Sequence, residues 1–252
     1  MEQQDATETG FGNRHWLVER HTIYSCVVGS RAYGLGTDAS DVDRRGVYAA
    51  PTALFWHLEK PPTHVDGPAE EQFSWEVERF CQLALASNPT VLECLWSPLV
   101  ERATPWGREL LALRTAFLSS RVGPAYGGYA KDQLARLTAT RERTGEVRWK
   151  QAMHMIRLLL AGAHVLRTGE VLVDVSEHRD RLLAVRRGEL TFVEFGDWAA
   201  RATEDFDMAA AHTTLPDAPN RAAIDDFLTR LRRDGLAEDG PPEDGLAEME
   251  VP

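Results

Sequence analysis

The sequence predicts an α+β chain, with a mixed α/β front half and a helical back half. Three observations carry that expectation. Apolar, β-branched runs such as TIYSCVV stop at glycine and read as buried strands. From Trp106 onward the periodicity is helical nearly throughout. Between the first two strand-like runs lies GSRAYGLGTDASDVD, Gly29 to Asp43, which is too broken by glycine to extend either.

The elements follow in order. TIYSCVVG is the first strand, SRAYGL a short helical turn, GTDAS a turn, and DVDRRGVYAAP a second strand closed by Pro51. Pro61, Pro62, Gly67 and Pro68 mark residues 58–68 as a loop. EEQFSW resumes extended character and enters an amphipathic helix with Val77, Phe80, Cys81 and Leu85 on one face. Ser87-Asn88-Pro89 ends that helix and starts another, a polar cap followed by Pro at the first helical position, and TVLECLW continues it to Pro98. In the back half, helices start at GREL and AYGGYAKDQLARL, and EVRWKQAMHMIRLLLAGAHVLRTG is a long one ended by Gly169. Three more are expected near residues 177–187, 191–211 and 220–233. The organisation is then an N-terminal extension over 1–20, an α/β unit over 21–120, a helical unit over 121–233 and an acidic tail over 234–252. In the tail DGLAE occurs twice around Gly-Pro-Pro without apolar periodicity, so disorder is expected there.

Composition bounds the function. The 252 residues suffice for a sizeable core, and no apolar run approaches bilayer-spanning length. The start, MEQQDATETG, lacks the basic and apolar segments of a secretory signal. Cys26, Cys81 and Cys94 sit singly in apolar segments, as small buried hydrophobes of a reducing compartment. A cytoplasmic protein is expected. The net charge of −11 conceals a split, because the tail from Asp234 has seven acids and no base. Between Arg121 and Leu190 thirteen Arg and Lys outnumber eight Asp and Glu, so a nucleotide or nucleic-acid ligand is not excluded.

The chemistry lies in Gly29–Asp43. Residues i and i+2 of a strand share a face about 6.6 Å apart, so Asp41 and Asp43 point the same way with Val42 buried opposite. Two parallel carboxylates repel each other and are tolerated next to something strongly positive. Mg²⁺ is the natural partner, since it takes carboxylate oxygens alongside substrate phosphates, and Mn²⁺ could replace it. Two such ions, about 3.5–4 Å apart, would activate an attacking oxygen and stabilise the leaving one. Gly29 and Ser30, at a strand end entering a helical turn, offer backbone amides and a hydroxyl to a phosphate, and Arg31 adds charge. Arg45 shares the strand face of Asp43 and either braces the carboxylates or binds phosphate. The bland alternative is an acidic surface hairpin with a glycine-rich turn.

The combination G29-S30, nine residues, then S40-D41-V42-D43 resembles the signature of the polymerase-β-like nucleotidyltransferase superfamily. GSRAYGLGTDASDVDRRGVY, SWEVERFCQLALASNPTVLECLW and WKQAMHMIRLLLAGAHVLRTG, in that order, are similar to the RlaP group associated with RNA repair. The resemblance implies a small mixed β-sheet flanked by helices, with a helical C-terminal half. It implies a Mg²⁺-dependent enzyme moving a nucleoside monophosphate from a nucleoside triphosphate to an acceptor, with two metal ions at Asp41 and Asp43. It also implies a third acid among Asp66, Glu70, Glu71 and Glu76. Related sequences carry it four residues before the aromatic that Trp75 represents, which selects Glu71 as metal ligand and base, where most relatives have Asp.

On the long helix, Lys150, His154 and Arg157 fall within about 60° of one another, opposite Ala152, Ile156, Leu159 and Ala163. Spacing alone favours the solvated face that any amphipathic helix has. The resemblance implies phosphate or substrate contact instead. Asn88 reads as a helix cap, Glu93 as a buried paired acid, and Tyr33 as core or as a platform for a base. The acceptor expected is an RNA or tRNA end. A protein hydroxyl, as in nucleotidylating toxins, and a catalytically silent nucleotide-binding module are the alternatives.

Overall fold

The computed structural model describes residues 14–38 and 40–238. Strands β1 (Thr22–Val27), β2 (Arg44–Tyr48), β3 (His64–Asp66), β4 (Gln72–Glu76) and β5 (Val100–Ala103) form one mixed sheet in the order β3-β4-β2-β1-β5. β1 runs antiparallel to β2 and β5, and β2 runs parallel to β4. The apolar run of β1 is buried at five of its six positions, as a central strand covered on both faces requires. The fold is the α+β arrangement expected. Val77, Phe80, Cys81 and Leu85 of α3 (Val77–Leu85) are all buried. Asn88 caps α4 (Pro89–Leu95), its side chain accepting from the Val91 amide at 3.2 Å.

Three stretches differ from the expectation. β2 starts at Arg44, so Asp41 and Asp43 occupy the extended approach to the strand and Val42 is only half-buried. The cause is the neighbour: β1 ends at Val27 and the chain turns away at Gly29, leaving residues 41 and 42 no ladder partner. The proline-rich loop encloses β3, a three-residue edge strand between its two pairs of breakers. β5, with sequence VERA, is too short and polar to announce itself, and sits at the opposite edge. Part of the expected N-terminal extension is also built into the fold. α1 (His15–His21) buries Leu17 and Val18 against Tyr48, Ala50 and Val65.

The back half comprises α5 (Pro105–Ala112), α6 (Val122–Thr144), α7 (Trp149–Thr168), α8 (Arg179–Arg186), α9 (Phe192–Ala211) and α10 (Arg221–Glu238). α7 is buried almost all round and is the axis of this half, with α6, α8 and α9 against it. One continuous core runs from Ile23 in β1 to Leu231 in α10, so the two halves share an interior. The three cysteines are buried and unpaired in it. Among the described residues no helix is long and apolar enough to cross a membrane.

α10 extends five residues past the expected end at Arg233 and returns to the sheet; the rest of the tail, 239–252, lies outside the described residues. Arg232 donates to Glu76 Oε1 at 2.7 Å and to the Ala50 carbonyl at 3.1 Å. Burial pushes the Glu76 carboxyl up and Arg232 pulls it back. Removing one partner of such a pair strands a buried charge. Arg232→Ala should therefore cost about 3 kcal/mol in urea unfolding, and adding Glu76→Leu should restore part of it. An equal loss in the double variant would contradict the pairing.

Candidate active site

A cavity of about 610 Å³ opens between the Gly29–Asp43 loop and α7. Gly29, Ser30, Asp41, Asp43 and Glu71 line one side, and Lys150, His154 and Arg186 the other. Tyr33, Leu35, Thr37, Ser40 and Met153 complete the wall.

The loop is held by its own backbone. The Val28 amide donates to the Asp43 carbonyl at 2.8 Å, joining the end of β1 to the start of β2. The Tyr33 amide donates to Gly29 and the Leu35 amide to Ser30, which closes the turn α2 (Gly29–Ala32). Gly29 has φ +70°, and a Cβ built there would lie 2.1 Å from Asp43 Oδ2. Only glycine satisfies both the left-handed backbone and the close approach of the carboxylate. The Asp43 side chain is thus packed against the first glycine of the motif.

Two arginines support the loop, one of its own and one from α8. Arg31 donates to the Ser40 carbonyl at 2.8 and 3.1 Å and to that of Asp41 at 3.3 Å. Arg179, the first residue of α8, donates to the Gly34 and Gly36 carbonyls. Arg31 is absent from the cavity wall, and so is Arg45, which donates to the carbonyls of Arg44 and Glu71 at 2.8 and 3.3 Å. Both guanidiniums brace backbone.

Parallel pairing of β2 with β4 explains Glu71. Arg44 pairs with Gln72, so the residues just before them, Asp43 and Glu71, reach the same end of the sheet. The Arg44 amide donates to the Glu71 carbonyl at 2.9 Å. Glu71 has φ +54°, a left-handed backbone that costs a non-glycine residue about 1 kcal/mol or more. Of the four acids considered, Glu71 alone lines the cavity. Glu76 is buried at the other end of β4 with Arg232, and Asp66 and Glu70 face solvent outside the cavity.

The facing wall is cationic. Lys150 and Arg186 are exposed, and neither has an ion-pair partner among the described residues. His154 is half-buried; burial, then the charges of Arg157, Lys150 and Arg186, push its pKa down to about 4. It is neutral at neutral pH.

The expected stripe breaks at Arg157. That side chain is 6% exposed and does not line this cavity. It donates to Glu93 Oε1 at 2.6 Å and lies 3.8 Å over the Tyr33 ring, while Tyr33 Oη donates to Glu93 Oε2 at 2.7 Å. The middle of α7 is covered on all sides, so a helical wheel drawn with one apolar face assigns Arg157 to solvent wrongly. Burial works against the Arg157 charge, but Glu93 outweighs it and holds the pKa above the ordinary value. Arg186 is the functional candidate the sequence reading missed. Its only signal was a basic last turn of α8, and periodicity could not say that this turn faces Lys150 and His154.

Among the described residues, no group of three or more His, Cys, Asp or Glu side chains is placed to hold a metal ion by itself. The donors at the cavity, Asp41, Asp43 and Glu71, are all carboxylates. That set suits a hard divalent ion whose other ligands are phosphate oxygens and water.

Residues 4–230 match the family described as RNA repair pathway DNA polymerase beta family. The chain is 27% identical over 154 residues to YcgL of Bacillus subtilis (strain 168), covering 59% of this chain and 58% of that protein. The crystal structure of a nucleotidyltransferase-like protein from Exiguobacterium sibiricum 255-15 is a looser likeness. Its TM-score is 0.30 at 12% identity, over 87% of this chain and 77% of that one.

Two outcomes follow from the geometry. Gly29→Ala should lower the unfolding free energy by about 1–3 kcal/mol in urea, whereas Gly128→Ala, with open space around it in α6, should raise it by about 0.4–1 kcal/mol. Equal effects would refute the close approach of Asp43. An unfolded chain protonates His154 near pH 6.5, whereas the folded chain does so only near pH 4. Stability from this residue is therefore present above pH 6.5 and lost as pH falls toward 4. His154→Gln should flatten that part of the urea-midpoint profile, and an unchanged slope would refute it.

Proposed function

Because the chain belongs to the RNA repair pathway DNA polymerase beta family, we propose that it is a divalent-metal-dependent nucleotidyltransferase acting on an RNA or tRNA end. It transfers a nucleoside monophosphate from a nucleoside triphosphate to a hydroxyl or phosphate oxygen and releases pyrophosphate. One observation carries this reading: three carboxylates, and two cations without ion-pair partners among the described residues, line a single cavity.

Asp41, Asp43 and Glu71 would hold Mg²⁺, two ions when the nucleotide is bound, with Mn²⁺ as a substitute. The metal supplies charge neutralisation at the phosphates and at the acceptor oxygen. The remaining steps fall to the chain. Gly29 and Ser30 bind the β- and γ-phosphates through backbone amides and the Ser30 hydroxyl. Lys150 and Arg186 face the triphosphate and offset the charge that develops as pyrophosphate leaves. His154, neutral before binding, donates a hydrogen bond there. Arg31 and Arg45 hold the acidic loop in place and do not touch the nucleotide. Arg157 acts through Tyr33. The acceptor oxygen forms the new bond to the α-phosphorus, and the bond between that phosphorus and the oxygen bridging to the β-phosphate breaks. Where the acceptor is a hydroxyl, Glu71 takes its proton.

The acceptor class rests on the family description and on the exposed bases of the helical half. Arg136 and Arg143 lie exposed on α6, and Arg148 lies exposed at the start of α7. Such a surface suits a phosphodiester backbone.

Asp41→Asn and Asp43→Asn should each lower transfer of labelled nucleotide to total RNA at least about a hundredfold in Mg²⁺. Their urea midpoints should stay near wild type. Wild-type transfer by both variants would rule this mechanism out.

A further inference from the structure

A second cavity, of about 280 Å³, adjoins the first, and Tyr33 and His154 belong to both walls. Its chemistry differs. The first cavity carries carboxylates on one side and cations on the other. In the second the charged groups are Glu93 and Arg157, already paired at 2.6 Å. The rest of its polar lining is neutral, above all the amides of Asn88, Gln133 and Gln151 and the hydroxyl of Thr90. Two buried atoms of this lining, Gln133 Oε1 and Arg157 Nε, have no hydrogen-bond partner among the described residues. A buried polar atom left unpaired costs about 1–3 kcal/mol, so both are poised for a ligand that supplies the missing bonds.

The missing ligand is uncharged, offers a donor and an acceptor, and has flat faces. A charged ligand would meet no unpaired counter-charge. An acceptor atom would satisfy the Arg157 Nε–H, and a donor would satisfy Gln133 Oε1. Tyr129, 54% exposed, stands in the wall as an aromatic surface for stacking. A cavity of roughly 150 Å³ accepts benzene, so this one has room for a bicyclic ring. Amide side chains are the groups that read the edge of such a ring in pairs of hydrogen bonds.

We infer that the second cavity is the base-recognition pocket of the nucleotide, read by Gln133 and Arg157 Nε, with the triphosphate in the first cavity and the sugar beside Tyr33 and His154, which line both. This rests on the nucleotidyltransferase reading and adds that the enzyme selects among nucleoside triphosphates. It places selectivity on α6, an element distant in sequence from every residue of the Gly-Asp motif. Gln133 acts on the base alone; it is not a catalytic residue.

The test is calorimetric binding of ATP, GTP, CTP, UTP and inorganic tripolyphosphate, each with Mg²⁺, to the wild-type protein and to Gln133→Leu. The wild type should separate its best and worst nucleotides by about tenfold or more. Gln133→Leu should reduce that ratio to within about threefold and leave tripolyphosphate affinity unchanged. Thr90→Val and Gln151→Leu, each on a different helix, provide the same ratio should Gln133→Leu fail to fold. Tripolyphosphate and nucleotides bound with an unaltered base ratio in all three variants would overturn the pocket and leave the transferase reading intact. No binding of nucleotide or tripolyphosphate by the wild type would overturn both.

Discussion

The buried contact of Arg157, Glu93 and Tyr33 is the constraint on which the rest depends. Glu93 comes from α4 of the sheet half, Arg157 from α7 of the helical half, and Tyr33 from the glycine loop between β1 and β2. An ion pair this deep adds little net stability over an apolar substitute, but losing one partner costs about 3–5 kcal/mol. Its consequence is positional. With the guanidinium over the Tyr33 ring and the Tyr33 hydroxyl on Glu93, the loop is set at a fixed distance from α7. The cavity exists because that separation is maintained.

The other supports act on the same loop, and they are mostly bonds to carbonyls. Arg31, Arg179 and the Val175 amide satisfy loop carbonyls at Ser40, Asp41, Gly34, Gly36 and Tyr33. A loop without ladder partners would otherwise present those groups unpaired. Arginine performs this role from within the loop at Arg31 and from α8 at Arg179. Lys150 and Arg186 line the cavity with no ion-pair partner among the described residues. The protein thus separates arginines bonded to loop carbonyls from a lysine and an arginine that line the cavity. The two adjoining cavities show a related separation, ionic in one and neutral in the other.

Much of this was legible in the sequence, for identifiable reasons. β1 and α3 carry apolar patterns long enough to declare themselves, and Asn88-Pro89 is local chemistry that tertiary context does not override. The Gly29, Asp41 and Asp43 constellation was legible because its spacing is constrained by one turn. Glu71 came from a resemblance in spacing to Trp75, and the parallel register of β2 and β4 gives it a physical basis. β3 and β5 were hidden because three or four residues at a sheet edge hold no period. Arg157 was misplaced and Arg186 overlooked for a shared reason. A helical wheel distinguishes faces, but not which neighbour covers each face.

The central claim is that the acidic loop and the end of α7 grip one metal–triphosphate between them. The most direct measurement is a crystal structure with Mn²⁺ and a non-hydrolysable nucleoside triphosphate, read by anomalous scattering. The account predicts manganese peaks at Asp41, Asp43 and Glu71, with the phosphates lying between Ser30 and the Lys150–Arg186 wall. Manganese bound away from these carboxylates, or phosphates seated outside this cavity, would contradict it.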